Sequence, residues 1–208
     1  MRFWLLPAVI GGLITGCAAS AVAQTSRAGA ACGPPGARTL AMDASARVYA
    51  TGGFVYGCSD RPRRITRLGR SGSCIGSLSG IDRVALAGVT VAYAVHRCGV
   101  DFGFTDILVR NLRDGTSLGT FAATEKSLGP EATNSVSSLV VSSDGAAAWI
   151  GTAQSIISTA RDTEVRTGHG HRRQLLDSGT QVKTGSLRLH GSRLTWRHGR
   201  ATRSATLQ

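Results

Sequence analysis

Residues 139–150 read LVVSSDGAAAWI: an apolar run, a polar tetrapeptide, and a second apolar run ending in tryptophan. Apolar runs flanking a short Ser/Asp/Gly segment are typical of a β-hairpin, because Asp and Gly tolerate turn geometry. The stretch therefore predicts a turn at Ser143-Asp144-Gly145 and a core position for Trp149. Whether this hairpin stands alone or is one copy of a repeat decides the fold.

The same form occurs four times in the chain. Each copy has two apolar positions two apart, a short turn, and an apolar residue two before an aromatic one. The copies begin at Leu40, Val84, Leu139 and Leu187, and their aromatic residues are Tyr49, Tyr93, Trp149 and Trp196. The aromatic residues are spaced by 44, 56 and 47 positions. A period in the forties built from β signals is typical of propeller blades.

The last copy shows the alternation most clearly. Its apolar positions are Leu187, Leu189, Leu194 and Trp196, and they alternate with Arg188, His190, Thr195 and Arg197. One apolar and one cationic face predict a half-buried antiparallel hairpin. Further strand-like material follows each hairpin, so each unit is expected to hold about four short strands, with the last unit one strand short. That shortfall fits ring closure by another part of the chain, or a truncated unit.

These patterns predict an all-β, propeller-like domain of about four short blades over residues 37–208. A β-sandwich is the alternative, since it also uses short alternating strands, but it does not require four similar hairpins. SSDGAAAWI also resembles the Ser-Pro-Asp-Gly turn and following strand of TolB-type WD40-like repeats, and VAYAVHRCGVDFGFTDILVRNLRDG is similar to the next section. Ser143 stands where proline is usual, no Trp-Asp ending is present, and the helical domain of TolB proteins is absent. The resemblance implies a binding platform.

The N-terminus reads as a targeting segment. Residues 1–23 are predicted to be a signal peptide, with a short positive start, an apolar stretch from Phe3 to Ile14, and cleavage after Ala21-Val22-Ala23. The alternative is a lipobox ending at Cys17, which would then be lipidated and anchor the chain to a membrane. Residues 24–36 are expected to be a flexible segment. The protein is therefore expected to be secreted or extracytoplasmic, or else a lipoprotein anchored through Cys17.

Four cysteines remain beyond Cys17, an even number that favours disulfides in an oxidising compartment. Four cysteines allow three connectivities. The expected pairing is Cys58–Cys74 with Cys32–Cys98. The chain has no C-x-x-C pair, so a zinc or thioredoxin-type site is not expected.

The formal net charge of +12 is carried almost entirely by arginine. From Arg161 onward, ten basic residues oppose three acidic ones. Because most arginines alternate with apolar residues, they are expected on the outward faces of strands and not in a nucleic-acid patch. An anionic polymer or an envelope protein is the expected partner, the expected membrane contact is limited to Cys17, and a monomer is expected.

No catalytic, cofactor or metal residue is predicted, since the sequence lacks the common nucleophile, zinc and phosphate-loop motifs. His169-Gly170-His171 is interpreted as a solvated turn. Two loops interrupt the repeat and are the candidate binding regions, because long loops on β scaffolds often carry function. Their candidate residues are Phe102, Phe104, Glu125, Lys126 and Glu131. The sequence thus favours an exported, non-catalytic binding or scaffold domain; a hydrolase of envelope polymers and an electrostatic adhesin are the alternatives.

Overall fold

A computed structural model describes residues 32–72, 79–99, 103–125, 128–129 and 132–208. These residues form fifteen β-strands and no helix, which confirms the all-β prediction. It follows that this part of the chain has no helix long and apolar enough to cross a membrane.

The strands form four successive antiparallel meanders, here called units 1 to 4. Unit 1 contains β1 (Arg38–Met42), β2 (Ala46–Thr51), β3 (Phe54–Asp60) and β4 (Arg63–Arg70). Unit 2 contains β5 (Ser79–Ala87), β6 (Thr90–Cys98), β7 (Gly103–Asn111) and β8 (Ser117–Ala122). Unit 3 contains β9 (Ala132–Val141), β10 (Ala147–Ser155), β11 (Arg161–His169) and β12 (Arg172–Ser178). Unit 4 contains β13 (Arg188–His190), β14 (Arg193–His198) and β15 (Ala201–Thr206).

All four predicted hairpins are present, as β1–β2, β5–β6, β9–β10 and β13–β14. The last unit has three strands, as the sequence pattern predicts. Ser143 and Asp144 form the expected turn, and Trp149 is fully buried. A repeat that is detectable in sequence thus corresponds to one meander per copy.

The first strands of successive units lie next to each other: β1 contacts β5, β5 contacts β9, and β9 contacts β13. Units 2 and 3 are also joined by one parallel bridge between Gly103 and Thr133. No strand of unit 1 is hydrogen-bonded to unit 4 in the described residues, and the sheets do not close into a ring. The units therefore form an open series.

The two ends of the strands differ. The turns between first and second strands lie together at one end, where Gly88 N donates to Asp43 Oδ2 at 2.7 Å and Thr90 Oγ1 donates to the Ser143 carbonyl at 2.8 Å. The links between second and third strands, and those between units, lie at the opposite end. We call this second end the loop end. It is where the period of the repeat is interrupted.

An apolar cluster fills each interface between units, and the repeated aromatic residues of units 2 to 4 face the unit before them. Tyr93 packs toward unit 1, Trp149 toward unit 2 and Trp196 toward unit 3. No unit precedes Tyr49 within the described residues, and Tyr49 packs instead with Cys32, Cys58 and Ala37. Residues 32–37, here called the N-terminal segment, therefore cover the face of unit 1 that a preceding unit would cover.

Two glycines allow unusually close approach at these interfaces. A side chain at Gly57 would overlap Leu112, and one at Gly151 would overlap the Ala123 carbonyl. That carbonyl accepts a hydrogen bond from Trp149 Nε1 at 2.8 Å. The repeated tryptophan is thus held by the connection that leaves unit 2.

The expected disulfide pairing is wrong. Cys58 bonds Cys32, with their Cα atoms 5.8 Å apart, so neither Cys58–Cys74 nor Cys32–Cys98 can form. Cys98 is also disulfide-bonded, and Cys74 and Cys17 lie outside the described residues. The physical reason is the docking of residues 32–37 on unit 1, which brings Cys32 onto β3 and leaves it 1% exposed.

Candidate functional site

A cavity of about 480 Å³ opens at the loop end between units 2 and 3. Its walls come from the end of β6, the start of β7, the β8–β9 connection and the start of β9. The polar and aromatic side chains of its lining include Arg97, Phe104, Asp106, Glu125, Thr133 and Asn134. The cavity thus lies at the connections that interrupt the period of the repeat.

One wall is a set of hydrogen bonds between β7 and β9. Asn134 Oδ1 accepts from the Thr105 backbone N at 2.5 Å, and Thr105 Oγ1 donates to the Asn134 carbonyl at 2.8 Å. His96 Nδ1 lies 2.6 Å from the same Thr105 hydroxyl. These bonds fix the wall before any ligand is present.

Arg97 and Asp106 form an ion pair across the β6–β7 hairpin, with Nη2 3.3 Å from Oδ2. The arginine side chain is 62% exposed and the aspartate side chain 27% exposed. A pair this exposed contributes little stability, about 0–1 kcal/mol. It leaves guanidinium N–H groups and a carboxylate within reach of a ligand.

Glu125 is held by two arginines from unit 3. Its Oε2 lies 3.0 Å from Arg166 Nη2, and its Oε1 lies 2.5 Å from Arg173 Nε. Arg166 Nε also pairs with Glu164 Oε2 at 2.5 Å, and the Glu125 backbone N donates to that oxygen at 3.1 Å. Glu125 thus fastens the β8–β9 connection to unit 3.

Arg166 is the buried centre of this cluster. Burial alone would lower the pKa of its guanidinium, but hydrogen bonds and charge from Glu164 and Glu125 outweigh burial, so the pKa lies above its ordinary value. Arg166 is a permanent cation between two carboxylates. A buried charge with partners of this kind is costly to leave unpaired, which gives the cluster a structural role.

Phe104 and Glu125, two of the predicted binding-loop residues, line the cavity together. Phe104 is 51% exposed at the rim. Phe102, Lys126 and Glu131 lie outside the described residues. Residues 104 and 125 are distant in sequence, but the antiparallel pairing of β7 with β8, in which Asp106 lies opposite Ala122, brings them close together.

Asp106 and Glu125 place two carboxylates on one concave surface, the arrangement that a hydrolase would need. Each is paired to arginine, however, whereas a glycosidase pair requires one carboxyl group kept protonated as a general acid. In the described part of the chain, no group of three or more His, Cys, Asp or Glu residues could hold a metal ion. In the described residues, both carboxylates of this concave surface are thus held by arginine side chains.

His169 and His171 flank the β11–β12 turn, where Gly170 has a φ of 60°. They line a shallow cavity of about 720 Å³ with Arg172, Arg173 and Gln174. Cationic neighbours disfavour a metal cation here. His169 and His171 are exposed at the turn between β11 and β12, in agreement with the expected solvated turn.

Sequence reasoning missed a cluster around Asp177, between units 3 and 4. Its Oδ2 accepts from Trp196 Nε1 at 2.7 Å and lies 3.0 Å from His198 Nδ1. Its Oδ1 accepts from Arg203 Nη1 at 2.5 Å. The cluster therefore fastens the last unit to the third. Pattern alone gives no signal for it, because the partners lie 19 to 26 positions away.

The loop end also carries exposed apolar side chains. Of the six large hydrophobic residues that are exposed in the described segments, Phe104, Ile156 and Ile157 lie at this end. Ile156 is 52% exposed and Ile157 is 77% exposed, in the β10–β11 hairpin loop. The sequence signal that could have found them is the run Ser155-Ile156-Ile157-Ser158, an apolar pair within a polar turn.

No family model matches the chain, and no curated protein matches it. The likeness to WD40-like repeats stays a prediction. Inferences about function accordingly rest on the geometry of the chain itself.

Proposed function

We propose that this protein is an exported, non-catalytic binding domain, built as an open arc of propeller-like blades, which takes a partner in the cell envelope at its loop end. The single observation that carries the proposal is that three exposed apolar residues, Phe104, Ile156 and Ile157, all lie at the loop end, where a cavity lined by both apolar and polar groups opens. Exposed apolar side chains next to a few fixed polar groups are typical of binding surfaces.

Each feature of the units supports the propeller-like part of the proposal. Units 1 to 3 are four-stranded meanders, their first strands are neighbours, and apolar layers separate one unit from the next. Propeller blades pack in this way. In propellers, as in other β scaffolds, binding often uses the loops at one end. Export rests on residues 1–23, which lie outside the described residues.

Site-specific photo-crosslinking tests the binding proposal. A photoreactive residue in place of Phe104 or Ile157 should give a discrete adduct when the protein is mixed with envelope from its host. The matched control is the same residue in place of Leu175, which is 46% exposed on the outer strand β12, away from the loop end. Adducts of equal yield from all three positions, or none from any, would contradict a binding site at the loop end.

The hydrolase alternative has its own test. Purified envelope polysaccharide or peptidoglycan is incubated with the protein, and new reducing ends or stem-peptide termini are measured. We expect no release above background, because Asp106 and Glu125 are both paired to arginine. Release that disappears in both D106N and E125Q would overturn the non-catalytic assignment.

A further inference from the structure

The outer face of unit 1, which faces away from unit 2, is covered over only part of its area. Residues 32–37 lie over β2, where Gly33 packs on the ring of Tyr49. Arg47 donates from Nη1 to the Cys32 carbonyl at 3.0 Å and from Nη2 to the Ala37 carbonyl at 2.8 Å. These contacts do not cover the part of the face that is formed by β3 and β4.

Two arginines stack on one aromatic ring in that part. Arg67 Cζ lies 4.9 Å from the centroid of the Phe54 ring, and Arg70 Cζ lies 5.6 Å from it. In the strand register Arg70 is opposite Phe54, and Arg67 is opposite Tyr56. Both arginines are exposed, while Phe54 and Tyr56 are half-buried. The ring therefore serves as a platform that contacts two guanidinium groups.

No carboxylate accompanies the two arginines. Neither forms an ion pair within the described residues, and Asp60 is the sole acidic residue of the sequence from 52 to 72. Asp60 lies at the far end of β3, opposite Arg63. Two like charges on one ring repel each other. An anion bound between them would relieve that repulsion and use their free N–H groups.

We propose that the Phe54–Arg67–Arg70 cluster is a binding site for a linear anionic polysaccharide, whose carboxylate or phosphate groups are bound by the two guanidinium groups. Stacking leaves the N–H edges of each guanidinium free to form paired hydrogen bonds with such groups. Arg63 extends the site, since a rise of about 3.3 Å per residue places it roughly 13 Å from Arg67 along the exposed edge strand. That length fits a polymer better than a single ion.

The same geometry argues against single-stranded nucleic acid as the partner. Proteins that bind it without sequence preference stack bases on free aromatic faces. Here the Phe54 ring lies under guanidinium groups, and Tyr56 is stacked with Tyr49 at a centroid distance of 5.5 Å. Both rings are occupied by the protein itself. A charged polymer without bases needs no free aromatic face, and it can bind to the exposed N–H groups of the arginines.

Unit 4 provides a matched control surface. Its outer face exposes Arg188, Arg193 and Arg197, so it is also cationic. Its aromatic residue Trp196 points the other way, into the interface with unit 3. Arg188 is tied to the carbonyls of Gly185 and Leu187 through Nη1, at 2.8 and 2.7 Å. This face carries similar charge but no aromatic platform. Comparing the two faces therefore distinguishes binding at the proposed site from binding driven by net charge alone.

The test measures binding to polygalacturonate, a carboxylate polymer, and to inorganic polyphosphate, by calorimetry at 0.15 M salt. R67Q/R70Q should weaken binding to at least one probe by about tenfold or more, because charge-assisted hydrogen bonds are lost. R193Q/R197Q removes the same charge and should weaken it by less than about threefold, since it changes only the long-range field. The probe that is affected identifies the anionic group.

Two more variants keep the result interpretable. R67K/R70K preserves the charge but not the planar fork, and it should still weaken binding severalfold, because lysine binds as a point charge. F54L keeps both arginines without their platform and should also weaken binding. Circular dichroism checks that each variant is folded. Equal weakening by the unit 1 and unit 4 pairs, full binding by R67K/R70K, tighter binding to oligo(dT) than to either probe, or no binding to either probe would overturn the proposal.

Discussion

At the scale of single residues, Asp177 is the most connected side chain of the unit 3–unit 4 interface. Burial alone would raise the pKa of its carboxyl group. Hydrogen bonds from Trp196 and His198, with the charges of His198 and Arg203, outweigh burial, so the pKa lies below its ordinary value. The folded state therefore binds this proton less readily than the unfolded chain does. The ionised carboxylate is a stabilising element of the fold.

The sign of the pH dependence follows from this lowered pKa. The contribution of Asp177 is present above its unfolded pKa of about 3.9, and it is lost as the pH falls through the lower folded value. D177N should reduce the free energy of unfolding by about 2–4 kcal/mol at pH 7, since it leaves Arg203 without its anion and weakens the bond from Trp196. Urea unfolding of both proteins from pH 7 to pH 2.5 measures this difference.

Asp114 supplies the control for that series. Hydrogen bonds from Thr116 lower the pKa of its carboxyl group, but it lies in an exposed turn of unit 2. D114N should therefore leave the neutral-pH stability near that of the wild type. The difference between D177N and wild type should shrink as the pH falls below about 4, where the unfolded state of Asp177 is protonated first, and it should vanish once the folded state is protonated at its lower pKa. A difference that stays constant down to pH 2.5 would show that charge plays no part.

At the scale of elements, the N-terminal segment substitutes for a missing unit. Tyr93, Trp149 and Trp196 each pack on the preceding unit, while Tyr49 packs on residues 32–37 and the Cys32–Cys58 bond. This arrangement explains why those residues, although they belong to no strand of the repeat, contribute to the core. The segment ends the series of sheets on the side that would otherwise expose Tyr49.

Removing the covalent link should loosen this cover. C32S/C58S opens a bond across 26 positions of sequence and should lower the free energy of unfolding by about 3 kcal/mol. Guanidinium unfolding measures the loss, and peptide mapping of the unreduced wild type should recover a Cys32–Cys58 peptide. As a control, R47Q keeps the bond and removes the hydrogen bonds to Cys32 and Ala37, so its loss should be smaller. A C32S/C58S stability equal to that of wild type would contradict this role for the segment.

Hairpins could be predicted from the sequence because their signals are local. Alternating Leu194, Thr195 and Trp196 defines two faces, and Ser143-Asp144-Gly145 defines a turn, within a few residues of chain. The disulfide could not be predicted, because it depends on where residues 32–37 dock. The Glu125–Arg166 pair joins residues 41 apart on different units, and no local pattern reports such a contact. The interrupted period identifies the candidate loops. No pattern in the sequence shows that these loops line one cavity.

At the scale of the whole molecule, the ends of the open series decide whether copies associate. Interfaces between units are apolar, whereas the two terminal faces are not. The outer face of unit 4 exposes Arg193 and Arg197, and the uncovered part of the unit 1 face exposes Arg67 and Arg70. Completing a ring with a second copy would bring these like charges together, at a cost that solvent and salt only partly screen. Electrostatics therefore oppose closure by self-association.

We accordingly expect the mature protein to be a monomer, and light scattering coupled to size-exclusion chromatography measures this directly. Because repulsion between the terminal faces is the reason, R193E/R197E should give them opposite charge and promote association at 0.05 M salt, which 0.5 M salt should reverse. The control R113E/R172E makes the same charge change at exposed positions in units 2 and 3, and it should stay monomeric. A wild-type dimer at micromolar concentration would contradict the argument, as would equal association of both variants, since then net charge and not the terminal faces would govern assembly.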